Sequence, residues 1–381
     1  MMRIERRHLV LATALLLGAC SSGDDSPAPE PSYPAIEAAL TIDPGALANY
    51  SRPVLPAYLT AAIAAGFDNT PADNPITDAG ATVGRVLFYD THLSTTSTVS
   101  CATCHAPAIG FTDADRFSGG VAPPAVTPAH SMRIVNARFY PGLSFFWDKR
   151  APTLEQQVVE PITNAVEMGF DDAAGGIAAA TAQLQAQAYM RELMQLAYGD
   201  STVTTLRVQR SLAQFMRSIV ATGSRFDAGL AQVGNVGQPF PNFSAAENRG
   251  KQLFLQPPNQ GGPGCAGCHA PPTFALVANA QSNGLDAGET RIFKSPSLMN
   301  VAQSGPYMHD GRFADLAAVV EHYDGGVQDG PALDQRLRAP GGAVRRLNLT
   351  ADDKAALVAF LQTLTDATLA GDARFTDPFR R

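Results

Sequence analysis

The fold is decided by a stretch that the chain carries twice, first as Gly84-Arg85-Val86-Leu87-Phe88 followed by Cys101-Ala102-Thr103-Cys104-His105. The second copy reads Gly250-Lys251-Gln252-Leu253-Phe254 and then Cys265-Ala266-Gly267-Cys268-His269, at nearly equal spacing. An internal repeat of this kind indicates a duplicated domain.

Each Cys-x-x-Cys-His pentapeptide predicts the covalent attachment of one c-type haem. Two cysteines three residues apart can form thioethers to the haem vinyl groups, and the adjacent histidine can supply an axial nitrogen to the iron. The alternative is a zinc or redox Cys-x-x-Cys pair, but a histidine follows both pairs. We therefore predict two haem c groups, bound by Cys101, Cys104, His105, Cys265, Cys268 and His269.

The fifth cysteine, Cys20, ends an N-terminal segment with the features of a secretory signal. Three arginines among the first seven residues precede the apolar run 9–17, which is too short to span a membrane. Because Leu17-Gly18-Ala19-Cys20 resembles a bacterial lipobox, we expect residues 1–20 to be a lipoprotein signal peptide and Cys20 to be lipidated. The protein would then be periplasmic and anchored to the membrane by acyl chains. The alternative is an ordinary signal peptide with an incidental cysteine.

Composition and helix signals predict an all-α protein of two tandem cytochrome c-like haem domains. Residues 21–35 are rich in Pro, Ser and Asp and read as a tether within a flexible N-terminal extension, 21–74. We place the domains at 75–232 and 243–368, because the Gly/Pro-rich segment between them reads as a linker. Capping patterns predict helices that begin at Thr153, Ser244 and Thr350. The net charge of −7 argues against a nucleic-acid partner.

Over roughly residues 75–366 the sequence resembles the bacterial di-haem cytochrome c peroxidases and their MauG-like relatives. The resemblance implies that the first haem reacts with hydrogen peroxide, that the second passes or stores electrons, and that an aromatic residue lies between them. It rests on these segments: Leu87-Phe88-Tyr89-Asp90, Phe146-Trp147-Asp148-Lys149-Arg150-Ala151, Glu167-Met168-Gly169, Pro296-Ser297-Leu298, Pro306-Tyr307-Met308-His309-Asp310-Gly311 and Leu347-Asn348-Leu349-Thr350.

The resemblance also implies roles for four residues of the first half. Trp147 matches the bridging tryptophan of the family, and Gln157, Pro161 and Glu167 follow at the spacing of its peroxide pocket. Glu167 would move the proton that O–O cleavage requires, Gln157 would hydrogen-bond the peroxide or a water, and Pro161 would wall the pocket. Without the resemblance, Gln157 could be a solvated helix residue and Glu167 could cap a helix or pair with an arginine.

The sequence departs from the peroxidase pattern at the first haem. Residues 118–128 contain no histidine where many family members carry a distal ligand, so we expect an open first iron. His130 stands where the family usually has an asparagine that binds calcium between the haems. The carbonyls of Ser304 and Pro306 match the other calcium ligands, so Ca²⁺ is a possible second cofactor.

A second departure concerns the distal ligand of the second haem. Tyr323 occupies the position of the peroxidases' methionine, and MauG-like proteins have tyrosine there. A phenolate stabilises oxidised iron, whereas a thioether favours the reduced state. His322 is equally plausible by chemistry, but neighbours on a helix point about 100° apart, so only one of the two can reach the iron. We favour Tyr323.

These features predict an exported di-haem peroxidase that takes electrons from a small redox protein, either a cytochrome c or a copper protein. The alternative is a MauG-like enzyme that oxidises Trp or Tyr residues of a partner protein. A non-enzymatic electron carrier is a third alternative, and it would need both irons six-coordinate.

Overall fold

The computed structural model describes residues 32–142 and 144–380. The predicted signal peptide, the lipidation at Cys20 and most of the predicted tether therefore lie outside the described residues. In the part of the chain that is described, no helix is both long enough and apolar enough to cross a membrane.

The described chain is helix-rich, with 41% of the residues helical. A hairpin of two two-residue strands, β1 (His269–Ala270) and β2 (Ala275–Leu276), adds a minor β element that the prediction of an all-α fold did not include. The helices are α1 (Pro34–Ala39), α2 (Ala57–Ala64), α3 (Asp78–Tyr89), α4 (Cys101–Cys104), α5 (Leu154–Gln157), α6 (Val159–Thr163), α7 (Gly176–Ala186), α8 (Ala188–Tyr198), α9 (Thr205–Ser218), α10 (Arg225–Val233), α11 (Ala245–Leu255), α12 (Leu316–Glu321) and α13 (Ala351–Gln362). The three capping patterns are confirmed, because Thr153, Ser244 and Thr350 cap α5, α11 and α13.

Helix α1 begins inside the stretch that the sequence assigned to a tether. Ile36 and Leu40 are fully buried, and the Ile36 backbone N–H donates to Glu192 Oε2 at 2.9 Å. The backbone N–H of Thr41 donates to the Pro378 carbonyl at 2.8 Å, which ties this segment to the end of the chain. The prediction of a tether through residue 35 is therefore wrong at its C-terminal end, because two apolar side chains four residues apart bury one face of α1.

The repeated Gly-x-x-Leu-Phe segments lie on α3 and α11, and each of these helices packs closely against a later helix. A Cβ atom on Gly84 would lie 1.9 Å from the Ser211 carbonyl oxygen of α9, and one on Gly250 would lie 1.9 Å from the Ala356 carbonyl oxygen of α13. The two helix pairs are thus built alike, with a glycine where the backbones touch. Buried apolar residues of both halves join one continuous core cluster.

A second repeat, which the sequence analysis missed, links the two halves. Residues 145–151 form a loop closed by pairing between Phe145 and Ala151, and residues 307–313 form the same loop closed by Tyr307 and Phe313. Superposing these loops by sequence position places His309 where the first half has Trp147. Each loop is also bonded to the opposite half of the chain. The backbone N–H of Lys294 donates to the Trp147 carbonyl at 2.6 Å, and the backbone N–H of His130 donates to the His309 carbonyl at 2.8 Å.

Candidate active site

The first Cys-x-x-Cys-His segment forms the short helix α4. The Ser100 backbone N–H donates to Thr103 Oγ1 at 3.0 Å, and this capping box fixes the turn that carries both cysteines. His105 follows directly, with Nδ1 3.1 Å from the Phe111 carbonyl oxygen. A carbonyl oxygen only accepts, so Nδ1 carries the proton and Nε2 is the nitrogen free to bind a metal.

The second segment runs from a 3₁₀ turn, Cys265–Gly267, into strand β1. His269 pairs with Leu276 of β2. Its Nδ1 is buried near the Phe274 carbonyl without reaching hydrogen-bond geometry. Phe111 lies six residues after His105 and Phe274 five residues after His269, and both have a positive φ, of 60° and 49°. The two attachment segments therefore turn back in the same way behind their histidines.

Burial shifts the cysteines and histidines of both segments toward their uncharged forms. Burial lowers the pKa of both histidines, that of His269 to about 4, so the imidazoles are neutral and able to bind a metal. Burial raises the pKa of Cys101 and Cys265 to about 12 and that of Cys104 and Cys268 to about 11. Among the described residues these four cysteines form no disulfide. The pairs would hold haem through thioethers, with His105 and His269 as axial ligands.

The residues predicted for the peroxide pocket meet in one cavity, which we call the first cavity. Gln157 at the end of α5, Pro161 in α6 and Glu167 after α6 line it together with His105. The cavity has an empty volume of about 1450 Å³. The three residues that the sequence spacing singled out therefore lie together in the structure.

The surroundings of Gln157 and Glu167 do not match a solvated Gln157 or a Glu167 paired with an arginine. Gln157 Oε1 is buried and has no hydrogen-bond partner, so it is an acceptor directed away from solvent. Among the described residues, the Glu167 carboxylate forms no ion pair, since Arg150 pairs with Asp148 at 2.9 Å and Glu160 at 2.7 Å instead. Burial raises the pKa of Glu167, and the nearby Arg150 opposes the shift. A carboxyl group of this kind can hold and release a proton.

Tyr323, and not His322, faces the cavity beside His269, which we call the second cavity. Tyr323 lines it with Cys265 and Cys268, and the cavity has an empty volume of about 1670 Å³. His322 is 5% exposed and does not line it. The His322 Nε2 atom lies 3.1 Å from the Asn283 carbonyl oxygen instead. Both residues belong to a wide π-helical turn, His322–Gly326, a feature common at functional sites.

Trp147 lies between the two cavities and lines both. Its indole Nε1–H donates to the His130 carbonyl at 2.7 Å. The ring packs edge-on against His309 at a centroid distance of 6.4 Å, and His309 stacks on Phe293 at 4.1 Å. The hydrogen bond and the ring contact therefore fix the Trp147 side chain. It is the single tryptophan of the sequence.

His130 is buried and occupied by hydrogen bonds on both ring nitrogens. Its Nδ1 lies 3.2 Å from the Asp115 carbonyl oxygen and its Nε2 lies 3.1 Å from Thr112 Oγ1. Burial lowers the pKa of the ring, so it is neutral. The structure gives no free nitrogen for an iron ligand at this residue.

The predicted calcium site does not fit the residues around it. The Ser304 hydroxyl accepts a hydrogen bond from Arg133 Nη1, so a guanidinium lies at this position. Calcium requires several oxygen ligands and is repelled by a neighbouring cation. Sequence reasoning missed Arg133.

Comparisons with known proteins agree with this geometry. Residues 78–234 match the family model described as di-haem cytochrome c peroxidase. The chain is 30% identical to the methylamine utilization protein MauG of Methylophilus methylotrophus, over 78% of this chain and 86% of the relative. It is 28% identical to the cytochrome c551 peroxidase of Nitrosomonas europaea, over 75% and 79% of the two chains.

One solved structure is similar in both sequence and fold. It is the crystal structure of a MauG-like protein associated with microbial copper homeostasis, with a TM-score of 0.67 and 30% identity over 82% of this chain and 96% of that chain. The two Cys-x-x-Cys-His segments, the cavities beside their histidines and these similarities lead to one conclusion: the chain belongs to the di-haem cytochrome c peroxidase and MauG family of oxidoreductases.

Proposed function

We propose that the protein reacts with hydrogen peroxide in the first cavity and receives the electrons through Trp147 from the second cavity and an external donor. One observation carries the proposal: Trp147 lines both cavities, whereas Gln157, Pro161 and Glu167 line only the first. The donor would be a small redox protein, either a cytochrome c or a copper protein. We further propose two tandem haem domains in an exported protein, anchored in the periplasm by lipid at Cys20.

The residues of the first cavity divide the work of handling peroxide. Haem held by Cys101, Cys104 and His105 would supply an iron able to exchange electrons with peroxide. Glu167 takes the proton from the near oxygen and returns it to the leaving oxygen, which its raised pKa permits. The unpaired Gln157 Oε1 accepts a hydrogen bond from the peroxide or a water. Pro161 adds a wall without a competing N–H donor.

Trp147 is suited to pass electrons without losing a proton. Its indole N–H donates to a backbone carbonyl, which is too weakly basic to take the proton when the ring is oxidised. The electron-poor ring would therefore keep its hydrogen bond and return to its starting state after electron transfer. The fixed ring also needs little reorganisation between the two cavities.

A MauG-like activity is the second candidate, and Tyr323 favours it. Its side chain lies in the second cavity with His269, so a tyrosine can be the distal ligand there. Burial raises the pKa of Tyr323 to about 12 in the protein alone, and binding to ferric iron would be required to form the phenolate. An anionic ligand favours the oxidised iron, which suits an enzyme that oxidises Trp or Tyr residues of a partner protein.

Turnover with two kinds of reductant distinguishes the candidates. The purified holoprotein is mixed with peroxide and a reduced small cytochrome c or copper protein, and oxidation of the donor is followed by absorbance. A peroxidase oxidises two equivalents of a one-electron donor for each peroxide in continuous turnover. If peroxide is consumed only when a Trp- or Tyr-containing protein is present, and that protein gains a covalent oxidation detected by mass, the MauG-like activity is correct.

A further inference from the structure

Two buried cations lie at the junction of the two cavities. Arg133 is 7% exposed and Lys294 is 4% exposed, and both residues line the first and the second cavity. The segment 130–136 of the first half corresponds to the segment 294–300 of the second. Arg133 and Lys294 therefore lie in matching segments of the two halves. Asn136 and Asn300 end these segments with the same φ of 60°.

The Arg133 guanidinium has no carboxylate partner among the described residues. Nη1 donates to the Ser304 hydroxyl and Nη2 donates to the Ser297 carbonyl, both neutral acceptors. Nε is buried and has no partner. Burial lowers the pKa of Arg133 to about 10, so the group is still charged at neutral pH. An unpaired buried charge is strongly unfavourable, which indicates that an anion is missing from its surroundings.

Lys294 is in the same situation. Its ammonium lies over the rings of Tyr140 and Phe145, at 4.3 and 4.4 Å from their centroids, and forms no hydrogen bond or ion pair within the described part of the chain. Burial and the charge of Lys149 lower the pKa of Lys294 to about 7. An anion beside the ammonium would restore its charge. The backbone N–H of Lys294 donates to the Trp147 carbonyl, and this bond fixes the residue next to Trp147 between the two cavities.

We propose that Arg133 and Lys294 are fixed cations between the cavities that bind the haem propionate carboxylates and take the place of a calcium ion. The inference rests on the proposed haem positions in the two cavities. Each haem carries two carboxylates, and these groups are the anions that the cofactor itself brings to the junction. A guanidinium binds carboxylates through paired N–H donors, and its charge cannot be removed by chelators as a bound metal can.

The site has a measurable consequence for the haem potentials. A positive charge near the iron favours the reduced state, because reduction removes one positive charge from the iron. Removing that charge should therefore lower the midpoint potential of at least one haem. Calcium chelation should leave both potentials unchanged, since the cation is part of the chain.

The test is a spectroelectrochemical titration of the holoprotein, without peroxide or a donor protein. Arg133→Met should lower at least one midpoint potential so that the ratio of reduced to oxidised haem at a given applied potential falls at least tenfold, equivalent to 59 mV for one electron. Arg133→Lys should remain within threefold of the wild type. Arg249→Met is the control, because Arg249 forms a surface ion pair with Asp353 and lines neither cavity.

Unchanged potentials in Arg133→Met would overturn the proposal, whatever the activity with peroxide proves to be. If Arg133→Met does not retain both haems, Lys294→Met is titrated instead with the same expectation and the same overturning result. Elemental analysis of the wild-type holoprotein after dialysis against EGTA provides a measurement that needs no variant. We expect less than about a tenth of an equivalent of calcium with unchanged potentials, and one retained equivalent would overturn the replacement of calcium.

Discussion

Glu167 is the residue on which the reaction with peroxide should depend most. Replacing it by glutamine keeps the size and removes the proton-transfer group, so Glu167→Gln should slow peroxide cleavage by about two to four orders of magnitude. The haem spectra should change little, because Glu167 does not belong to either attachment segment. Rapid mixing of the oxidised holoprotein with peroxide measures the rate. An unchanged rate would remove Glu167 from the mechanism.

The pH dependence of the same rate gives a separate test of Glu167. The carboxylate must be unprotonated to take a proton from peroxide, and burial raises its pKa above the ordinary 4.5. The rate should therefore fall as the pH drops through this raised pKa, at a higher pH than an exposed glutamate would give. Glu167→Gln should lack this acid limb. A limb that persists in the variant would belong to another group.

Tyr323 and His322 can be separated by the spectrum of the second haem. We expect the oxidised protein to contain one five-coordinate high-spin haem and one low-spin haem, the latter bound by His269 and Tyr323. Tyr323→Phe should abolish the low-spin signal in electron paramagnetic resonance or raise the potential of that haem, because the anionic ligand is lost. His322→Ala should do neither, since the His322 ring bonds to the Asn283 carbonyl and does not line the second cavity. The reverse pattern would make His322 the ligand.

At the residue scale, sequence spacing predicted the group around Glu167 but not the charges between the cavities. Gln157, Pro161 and Glu167 fall at fixed separations after Trp147, and the helices α5 and α6 convert those separations into one cavity wall. Arg133 and Lys294 carry no comparable spacing. Both line the two cavities because segments from opposite halves meet there, which no local pattern reveals.

At the scale of helices, the contact between α11 and α13 depends on a glycine. A Cβ atom on Gly250 would lie 1.9 Å from the Ala356 carbonyl oxygen, so Gly250→Ala must push the helices apart. We expect a loss of about 1–3 kcal/mol in the free energy of unfolding, measured by denaturant titration of the holoprotein. Gly371→Ala is the matched control, since nothing lies within 4 Å of a Cβ there. Equal stability of the two variants would contradict the close packing.

The starts of these helices were predictable because each depends on a few neighbouring residues of the sequence. Thr153, Ser244 and Thr350 cap helices through hydrogen bonds to residues three positions later, and these bonds need no tertiary information. Helix α1 was not predictable in the same way. Its proline-rich surroundings resemble a tether, and only the contact with α8 and the C-terminal segment gives Ile36 and Leu40 a place to be buried.

At the scale of the whole molecule, both attachment segments should be used. Both cysteine pairs are free, His105 lines the first cavity, and Cys265, Cys268 and His269 line the second, so we expect two covalent haems per chain. Acid denaturation should not extract them, and the mass of the denatured protein should exceed that of the polypeptide by two haems. An increase of one haem, or of none, would contradict the assignment.

The central claim is that Trp147 couples the two cavities. One equivalent of peroxide is mixed with the oxidised holoprotein, and the low-spin signal of the second haem is followed by freeze-quench electron paramagnetic resonance in the wild type and in Trp147→Phe. The account predicts that the wild type loses this signal as the second haem gives up an electron, while Trp147→Phe reacts with peroxide at the normal rate but keeps the signal. Loss of the signal at the same rate in both proteins would contradict the account.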